Sequence, residues 1–373
     1  MPARASPCIA FSIVSLVLLL IVGCGGEGTK EAAEWTVEEG ALTLERNLLA
    51  GDDEEYYFGQ VGDVAVGADG QMYVVDGEAV HVKVLAPDGT LRDSVGREGE
   101  GPGEFRRISA VAVARSDSLY VLDAFRRRVS VFGPGGAFAY SLARSKTQGP
   151  SDVIVSAEAP GFIFVYAPAA RRVVQNNAPY VVRSAGADGA ADDTLFTARP
   201  YQMAMRKVDG GMLFARIPFA REPHFAAGAD GRIYHAWSGG LSVRTYDRTG
   251  RAVDTVEVPF DPVPVTDADI ERALEDRDRT RDLVRNRIPS TKPAFEEFLV
   301  DDQGRYWFGR PTANPDSTAW WVAWPDEKRV ATTRLSDEVD IEAVRGGYAY
   351  GETSTEKGAP ALVRYRIRVN SEQ

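Results

Sequence analysis

Residues 73–76 read Tyr-Val-Val-Asp and residues 120–123 read Tyr-Val-Leu-Asp, so one short pattern returns after 47 residues without a gap. Further residues recur at the same offset: Val64 and Val111, Val84 and Val131, Pro87 and Pro134, and Gly89 and Gly136. Both copies alternate apolar and polar residues in short runs that end at Asp-Gly or Pro-x-Gly turns. This pattern predicts half-buried antiparallel strands joined as a meander.

A glycine followed three residues later by an aromatic residue carries the repeat along the chain. After Gly70 and Tyr73 the pairs are Gly161 and Phe164, Gly231 and Tyr234, Gly304 and Trp307, and Gly347 and Tyr350. Six small sheets with recurring aromatic residues predict an all-β fold, a six-bladed β-propeller, because such sheets bury their faces against one another in a closed ring. The predicted units lie near 61–95, 108–142, 151–219, 222–258, 294–335 and 339–369.

Two departures from the repeat concern the number of blades and the closure of the ring. Gly211 and Phe214 repeat the frame only 20 residues before Gly231, which is too short for a blade. We interpret them as an extra hairpin that completes the third unit, and seven blades remain an alternative. The strand at 41–48 has no nearby partner, and its pairing with the last strand, 361–369, would close the ring.

The first 23 residues have the pattern of a secretory signal peptide. Arg4 precedes an apolar run over residues 9–22, which is shorter than the about 20 residues that a transmembrane helix needs. Residues 21–24, Ile-Val-Gly-Cys, resemble the lipobox of bacterial lipoproteins, in which a peptidase cleaves before a cysteine that carries diacylglycerol. Cys24 matches the modified position, and the alternative is an ordinary leader with a chance cysteine.

The lipobox resemblance implies three segments and a location. The segments are a signal peptide over 1–23, a lipidated tether over 24–34 and a propeller over 35–373. Lipid on Cys24 would anchor the chain to a membrane of the bacterial cell envelope. Gly25, rather than aspartate, follows that cysteine and resembles the signal for outer-membrane delivery in Gram-negative bacteria.

Composition excludes some classes of function. Of the 373 residues 44% are hydrophobic, enough for a large core, and the net charge of −11 argues against a nucleic-acid partner. The two cysteines, Cys8 and Cys24, fall in the leader and at its end, so the domain has no disulfide framework. Three histidines are few for a His-rich zinc site. We therefore predict no metal centre and no cofactor.

The stretch between the first two units carries a family resemblance. Residues 96–105 read Gly-Arg-Glu-Gly-Glu-Gly-Pro-Gly-Glu-Phe and resemble the Gly-Pro-Gly-Glu-Phe linker of NHL-repeat propellers. The resemblance covers residues 61–142 well and the rest only through the aromatic frame. It implies an NHL-like six-bladed propeller lipoprotein, and it implies little about activity because this fold serves many functions.

One face of a propeller collects the loops between the second and third strands and the connections between blades. A helical insertion at 266–288 emerges on this face. Residues 266–269, Thr-x-x-Asp, resemble a capping box, and an apolar stripe follows: Ile270, Leu274, Val284 and Ile288. The insertion is either a lid over the central mouth or a solvated surface segment, and its charge favours the second interpretation.

Charged residues on the same face are candidates for ligand contact. Arg126 and Arg127, within an Arg-Arg-Arg run that ends at Arg128, could bind an anion, although such a run is usually a solvated loop. Arg310 begins the corresponding loop of the fifth unit. Three glutamates of the linker, Glu98, Glu100 and Glu104, could hold calcium, but the glycines beside them favour a tight crossing between blades.

Asp76 and Asp123 occupy equivalent positions, and we expect both to accept hydrogen bonds from loop amides rather than perform chemistry. In the fourth unit His235 and Trp237 stand where that aspartate would fall, so the repeat is broken there. An aromatic ring beside a polar group at a propeller mouth could stack a sugar or a peptide. His235, Trp237, Arg126, Arg127 and Arg310 are therefore the candidate ligand-binding residues.

Two functions of different classes agree with these observations. The first is a lipid-anchored, non-catalytic binding or scaffold module for a protein, a peptide or a glycan. The alternative is a metal-dependent propeller enzyme of the lactonase or lyase type, with a divalent ion held in the central channel. No unit repeats a Glu, Asn or His at aligned inner positions in a way that we recognise, and no nucleophile elbow or phosphate loop occurs, so the sequence favours the binding module.

Overall fold

The computed structural model describes residues 34–51, 56–114, 116–143, 152–155, 161–186, 193–228 and 230–370. Residues from Trp35 onward form one compact unit. The signal peptide and the candidate lipidation site, Cys24, lie outside the described residues. Among the helices of the described part, none is long and apolar enough to cross a membrane.

The chain starts with two strands that later join the last two blades, β1 (Thr36–Glu38) and β2 (Leu42–Ala50). Blade 1 consists of β3 (Val61–Val66), β4 (Met72–Asp76), β5 (His81–Leu85) and β6 (Leu91–Val95). The linker to blade 2 contains a short parallel pair, β7 (Arg97–Glu98) and β8 (Glu104–Phe105). Blade 2 consists of β9 (Ile108–Val113), β10 (Leu119–Asp123), β11 (Arg128–Phe132) and β12 (Phe138–Ala143).

Blade 3 consists of β13 (Asp152–Val155), β14 (Gly161–Tyr166), helix α1 (Ala170–Asn176), β15 (Tyr180–Gly186) and β16 (Asp193–Ala198). A separate hairpin follows, β17 (Met203–Val208) and β18 (Gly211–Arg216). Blade 4 consists of β19 (Pro223–Ala227), β20 (Ile233–Trp237), β21 (Leu241–Tyr246) and β22 (Ala252–Val258).

The helical insertion comes next, with α2 (Asp267–Ala273), α3 (Arg281–Val284) and a 3-10 turn (Arg285–Arg287). Blade 5 consists of β23 (Glu297–Val300), β24 (Tyr306–Pro311), β25 (Ser317–Trp324) and β26 (Arg329–Ser336). Blade 6 consists of β27 (Asp340–Arg345), β28 (Tyr348–Ser354) and β29 (Pro360–Val369), with β2 as its fourth strand.

The first strands of the blades contact one another in cyclic order: β3 with β9, β9 with β13, β13 with β19, β19 with β23, β23 with β27, and β27 with β3. The first strand of each blade is therefore innermost, and the six together surround a central channel. This arrangement confirms the predicted six-bladed β-propeller, and the described residues contain no seventh four-stranded sheet.

The N-terminal strands close the ring. Strand β2 pairs antiparallel with β29 from Leu42 opposite Val369 to Ala50 opposite Leu362. Strand β1 pairs parallel with the outer strand of blade 5, β26. The N-terminal segment thus bonds to two neighbouring blades, which satisfies edge backbone groups that would otherwise be open to pairing with other chains.

The six aromatic residues of the repeat lie on the second strands of the six blades, as the frame predicts. In five blades the ring faces the following blade; for example, Trp307 is fully buried against blade 6, with its ring 6.2 Å from that of Trp320. Phe164 of blade 3 instead packs against blade 2, among Ala110, Leu122 and Val131. Because side chains alternate faces along a strand, the frame is one residue out of step in blade 3.

The hairpin β17–β18 does not complete the third blade, in contrast to the prediction. It forms a two-stranded sheet of its own and packs against the helical insertion. Their shared core contains Ala204, Ala215, Leu274 and Val284, with Ile217, Ile270, Leu283 and Ile288 at its border. The hairpin over residues 203–216 and the insertion over residues 266–288 therefore form one small unit, which we call the cap.

The insertion begins with the predicted capping box, since Asp269 N donates to Thr266 Oγ1 at 3.2 Å and Thr266 N donates to Asp269 Oδ2 at 2.9 Å. It is not one continuous helix, because α2 ends at Ala273 and α3 starts only at Arg281. The predicted stripe residues still share one core, because the chain folds back between the two helices.

Closure by β2 makes a prediction about stability. Leu42 is buried between blades 5 and 6, so Leu42→Ala should lower the free energy of unfolding by about 2–5 kcal/mol through the cavity it leaves. Chemical denaturation measures the change. Arg46→Ala, on an exposed position of the same strand, is the control and should change it by no more than about 0.5 kcal/mol. Equal effects of the two substitutions would contradict the role of β2 packing in closure.

Candidate ligand-binding site beneath the cap

Two cavities lie where the cap meets the propeller. The larger, about 330 Å³, is lined by Asp269 and Arg272 of α2, by Glu297 at the start of β23 and by Asp340 at the start of β27. Since β23 and β27 are innermost strands, this cavity opens at the mouth of the central channel. The insertion therefore lines a cavity at the mouth, the position expected of a lid rather than of a solvated segment.

The smaller cavity, about 170 Å³, lies between the hairpin side of the cap and blade 4. Its walls combine aromatic, cationic and polar side chains: Tyr201, Gln202, Arg216, Arg221, Glu222, Ser238, Arg277 and Phe295. Phe219 and Glu296 line both cavities, so the two spaces are neighbours. A wall that combines aromatic faces with several polar groups is a surface on which sugars and peptides bind.

A buried ion pair fastens the cap to blade 5. The ammonium of Lys292 lies 2.8 Å from Asp269 Oδ1 and donates to Thr312 O at 3.1 Å, and both side chains are buried. Burial opposes ionisation of Asp269, but the bonds from Lys292 and Thr266 outweigh it and lower the pKa of Asp269 to about 2. The pair stays ionised at neutral pH, so α2 is held against the loop that follows β24.

Carboxyl groups from blades 5, 6 and 1 gather along one side of the channel. Burial, and then the nearby Asp63, raise the pKa of Glu342 to about 8; Asp340 and Glu297 add to the effect. Burial, and then Asp340, raise the pKa of Glu297 to about 8. The buried Oε2 of Glu297 has no hydrogen-bond partner among the described residues. At pH 7 these two groups are mostly protonated, so they can donate hydrogen bonds to a ligand.

Three of these carboxyl residues, Asp63, Glu297 and Asp340, stand at one aligned position of the repeat, whereas Glu342 does not. Asp63, His224, Glu297 and Asp340 each stand ten residues before the aromatic residue of their own blade. The signal was missed because the residue type changes from blade to blade. In the described part of the chain, however, no three His, Cys, Asp or Glu side chains are arranged to hold a metal ion.

The residue that ends the second strand anchors loops in several blades, as expected for Asp76 and Asp123. Asp123 accepts from the amides of Arg106 at 2.8 Å and Arg126 at 2.9 Å. Asp76 accepts from the amides of Gly59 at 3.4 Å and Ala79 at 3.2 Å, and it also pairs with the buried Lys83.

Blades 4 and 5 use other side chains for the same task. In blade 4 the next residue, Ser238, accepts from the amide of Glu222 at 2.9 Å. In blade 5 Arg310 occupies the aspartate position, and its guanidinium donates to the carbonyls of Ala294 and Asp261, both at 3.0 Å. The anchor of blade 5 therefore donates hydrogen bonds to loop carbonyls, whereas the aspartates of blades 1 and 2 accept them from loop amides.

The structure places Arg126 and Arg127 in the loop between β10 and β11, where the loop meets the linker. Arg126 Nη2 lies 2.9 Å from Glu100 Oε1. Arg127 is exposed and has a φ of 54°, the same left-handed value that Val80 has at the equivalent position of blade 1. Arg128 donates to the carbonyls of Gly101 and Glu104. Arg126 and Arg128 thus join blade 2 to the linker, and neither cap cavity includes the run.

The glutamates proposed for calcium also meet protein partners. Glu104 accepts from the guanidinium of Arg97 and, through Oε2, from the amides of Glu100 at 2.9 Å and Gly101 at 2.7 Å. These bonds, the Gly101 amide first, hold the pKa of Glu104 below its usual value. At Gly96, with a φ of 79°, a Cβ would lie 2.2 Å from the ring of Phe105. The linker is therefore a close crossing between blades.

His235 lies away from the mouth, between the rings of Phe196 and Phe225 at the interface of blades 3 and 4. Burial, and then Arg244, lower its pKa to about 4, so the imidazole is neutral at pH 7. Trp237 ends β20 beside Arg199, whose guanidinium lies 5.9 Å from the ring. The structure does not bring Trp237, His235 and the arginine run together into one site.

Comparisons with known proteins agree on the fold. A family model described as a 6-bladed beta-propeller matches residues 52–146. A predicted exported protein from Bacteroides fragilis has a similar structure, with a TM-score of 0.58 and 11% identity over 90% of this chain and 99% of that chain. A protein from Bacteroides vulgatus has a TM-score of 0.53 and 8% identity over 88% and 99% of the two chains.

A gluconolactonase from Xanthomonas campestris has a TM-score of 0.48 and 15% identity over 83% of this chain and 87% of that chain. No curated protein matches the sequence significantly. The structural similarity to the two Bacteroides proteins supports the fold, and identities this low carry no information about function. The chain is a six-bladed β-propeller, and its ligand has to be argued from its own residues.

The raised carboxyl pKa values predict that stability falls as pH rises. The pKa of Glu342 is about 8 in the folded protein against an ordinary 4.5, so its stabilising contribution is complete below about pH 4.5 and is lost as pH rises through about 8. Glu342→Gln mimics the protonated group. The difference in unfolding free energy between this variant and wild type should shift in favour of the variant by more than about 1 kcal/mol from pH 5 to pH 9.

Denaturation at both pH values measures this gain. The control is Glu356→Gln at an exposed position, which should change stability equally at pH 5 and pH 9. A constant difference between Glu342→Gln and wild type over this range would contradict a buried, protonated Glu342.

Proposed function

We propose that the chain is a lipid-anchored binding module of the bacterial cell envelope that holds a peptide or a glycan between its cap and the propeller mouth. The observation that carries this proposal is the pair of adjoining cavities beneath the cap, about 330 and 170 Å³. Their walls come from the cap, from the inner strands and from the loops of blades 4 to 6. A ligand held there would touch both units at once.

The chemistry of the walls favours a polar, uncharged or weakly cationic ligand. Protonated Glu297 can donate a hydrogen bond, and Asp340 and Asp337 can accept. Tyr201 and Phe295 offer aromatic faces in the smaller cavity. Sugar hydroxyls and peptide groups need this combination of donors, acceptors and flat apolar surface.

The anchor is proposed from the leader alone. Cleavage before Cys24 and lipidation of its thiol would hold the propeller at a membrane surface through the tether over 24–34, in the outer membrane if Gly25 acts as the sorting signal. Two or more acyl chains are enough for stable attachment. A binding module at this location meets envelope proteins, peptides and glycans rather than nucleic acid, in agreement with the net charge of −11.

Lipidation is tested directly. Cells that express the full chain should incorporate radiolabelled palmitate into the protein, and Cys24→Ser should abolish the label because the acceptor thiol is gone. Cys8→Ser is the matched control and should keep the label, because residue 8 belongs to the cleaved leader. Label on the Cys24→Ser protein, or no label on wild type, would contradict the anchor.

Ligand binding is tested with the full chain purified in detergent and applied to glycan and peptide arrays. We expect one class to bind, and Asp269→Asn to weaken that binding at least tenfold, since it breaks the pair that fastens the cap and leaves Lys292 buried without its partner. Asp267→Asn, exposed in the first turn of the same helix, should bind as wild type. Hydrogen exchange should show loss of protection confined to the cap in Asp269→Asn.

Three outcomes would contradict the proposal. One is no binding to either array, and another is unchanged binding by Asp269→Asn despite an opened cap. The third is stoichiometric calcium or zinc in the purified protein by elemental analysis, which would instead support the alternative of a metal-dependent enzyme. The carboxyl groups of Asp63, Glu297, Asp340 and Glu342 along the channel would then be the first ligands to examine.

A further inference from the structure

The guanidinium of Arg310 is held rigidly in a buried position. The residue Arg310 is 7% exposed, and its Cζ lies 4.1 Å from the ring centroid of Trp321 and 5.2 Å from that of Phe260. Nε donates to Ala294 O and Nη2 to Asp261 O. Two rings and two carbonyls therefore fix both the plane and the direction of the fork.

Within the described part of the chain this guanidinium has no ionic partner. No carboxylate there lies within ion-pair distance of it, and its Nη1 makes no hydrogen bond with these residues. Burial lowers the pKa of Arg310 to about 10, and the exposed Asp261 only partly opposes this. A buried cation without a counter-ion is costly, and an anion from outside would relieve that cost.

Arg310 lines a groove of about 760 Å³ on the outer part of blade 5, which is larger than either cap cavity. Threonine hydroxyls line the same groove: Thr43, Thr312, Thr332 and Thr333. Thr332 accepts from the amide of Gly40 at 3.2 Å, and Thr43 accepts from Asn370 at 3.3 Å. Each of these two hydroxyls therefore keeps its own O–H to donate.

Other charges border the groove as well. Arg334 adds a second cation, while Glu39 and Asp261 contribute carboxylates. With Arg310 included, the groove has two arginines and two carboxylates, and the buried fork of Arg310 decides which ligand group fits. A planar fork matches a carboxylate through two parallel hydrogen bonds, and hydroxyl donors beside it match the hydroxyls of a sugar ring.

We propose that this groove is a second binding site, adjoining the larger cap cavity at Pro311 and Thr312, that recognises an acidic sugar through its carboxylate on Arg310. The sugar hydroxyls contact the threonines that line the groove. Arg310 keeps its two carbonyl bonds, and Nη1 together with the remaining N–H of Nη2 donates to the two oxygens of the ligand carboxylate. Arg310 lines the groove and neither cap cavity, so this proposal does not rest on the proposed function beneath the cap.

The test is calorimetric titration of the full chain, purified in detergent, with trimers of galacturonate, glucuronate and mannuronate. At least one uronate trimer should bind, and its methyl ester should not, because esterification removes the charge. Arg310→Lys should weaken binding at least tenfold, since lysine keeps the charge but loses the fork. Thermal melting of Arg310→Lys checks that the loops it anchors stay folded.

The matched control is Arg329→Lys, which alters an arginine that also stacks on a tryptophan, 3.9 Å from the Trp324 ring, but that has Glu38 and Glu327 as ionic partners. It should bind the trimer as wild type does. Binding of no uronate trimer, equal binding of trimer and ester, or unchanged binding by folded Arg310→Lys would overturn the proposal. Binding of trialanine through its terminal carboxylate without any uronate would also overturn it.

Discussion

The cyclic contact of six inner strands is the constraint on which the rest of this structure depends. A single four-stranded sheet exposes two faces and two edges, and neither face is buried until the neighbouring blades are in place. Pairing of β2 with β29 completes the sixth blade from the other end of the chain. The packing between blades, with Trp307 and Trp320 fully buried, depends on that closure.

The ring is regular in its first two blades and departs from the repeat in blades 3 to 6. The cap emerges from the connections on either side of blade 4. Arg310, which has no ionic partner among the described residues, belongs to blade 5. The carboxyl groups of the channel belong to blades 5, 6 and 1. Residues that every blade needs for its structure recur throughout the repeat. Positions where the repeat changes are free of that requirement and can accommodate a ligand.

The position that ends the second strand of each blade shows which roles the sequence could predict and which it could not. Asp76 and Asp123 were identified as equivalent, and both bond loop amides. Arg310 stands at the same position, yet its role needed the structure, since whether a guanidinium finds a carboxylate depends on distant residues. The two irregular segments, the hairpin and the insertion, were found separately. Their union in the cap was not predictable, because some fifty residues separate them and only the ring brings them together.

The sequence by itself favoured six blades over seven and indicated the strand that carries each aromatic residue and the segment that closes the ring. These properties follow from local alternation and from turns, which adjacent residues control. Only the tertiary structure decided that Phe164 faces the opposite way, that the cap lines cavities at the mouth, and that Arg310 lies buried with no counter-ion among the described residues. These depend on which surfaces meet across blades, and burial and charge at such contacts come from residues far apart in the chain.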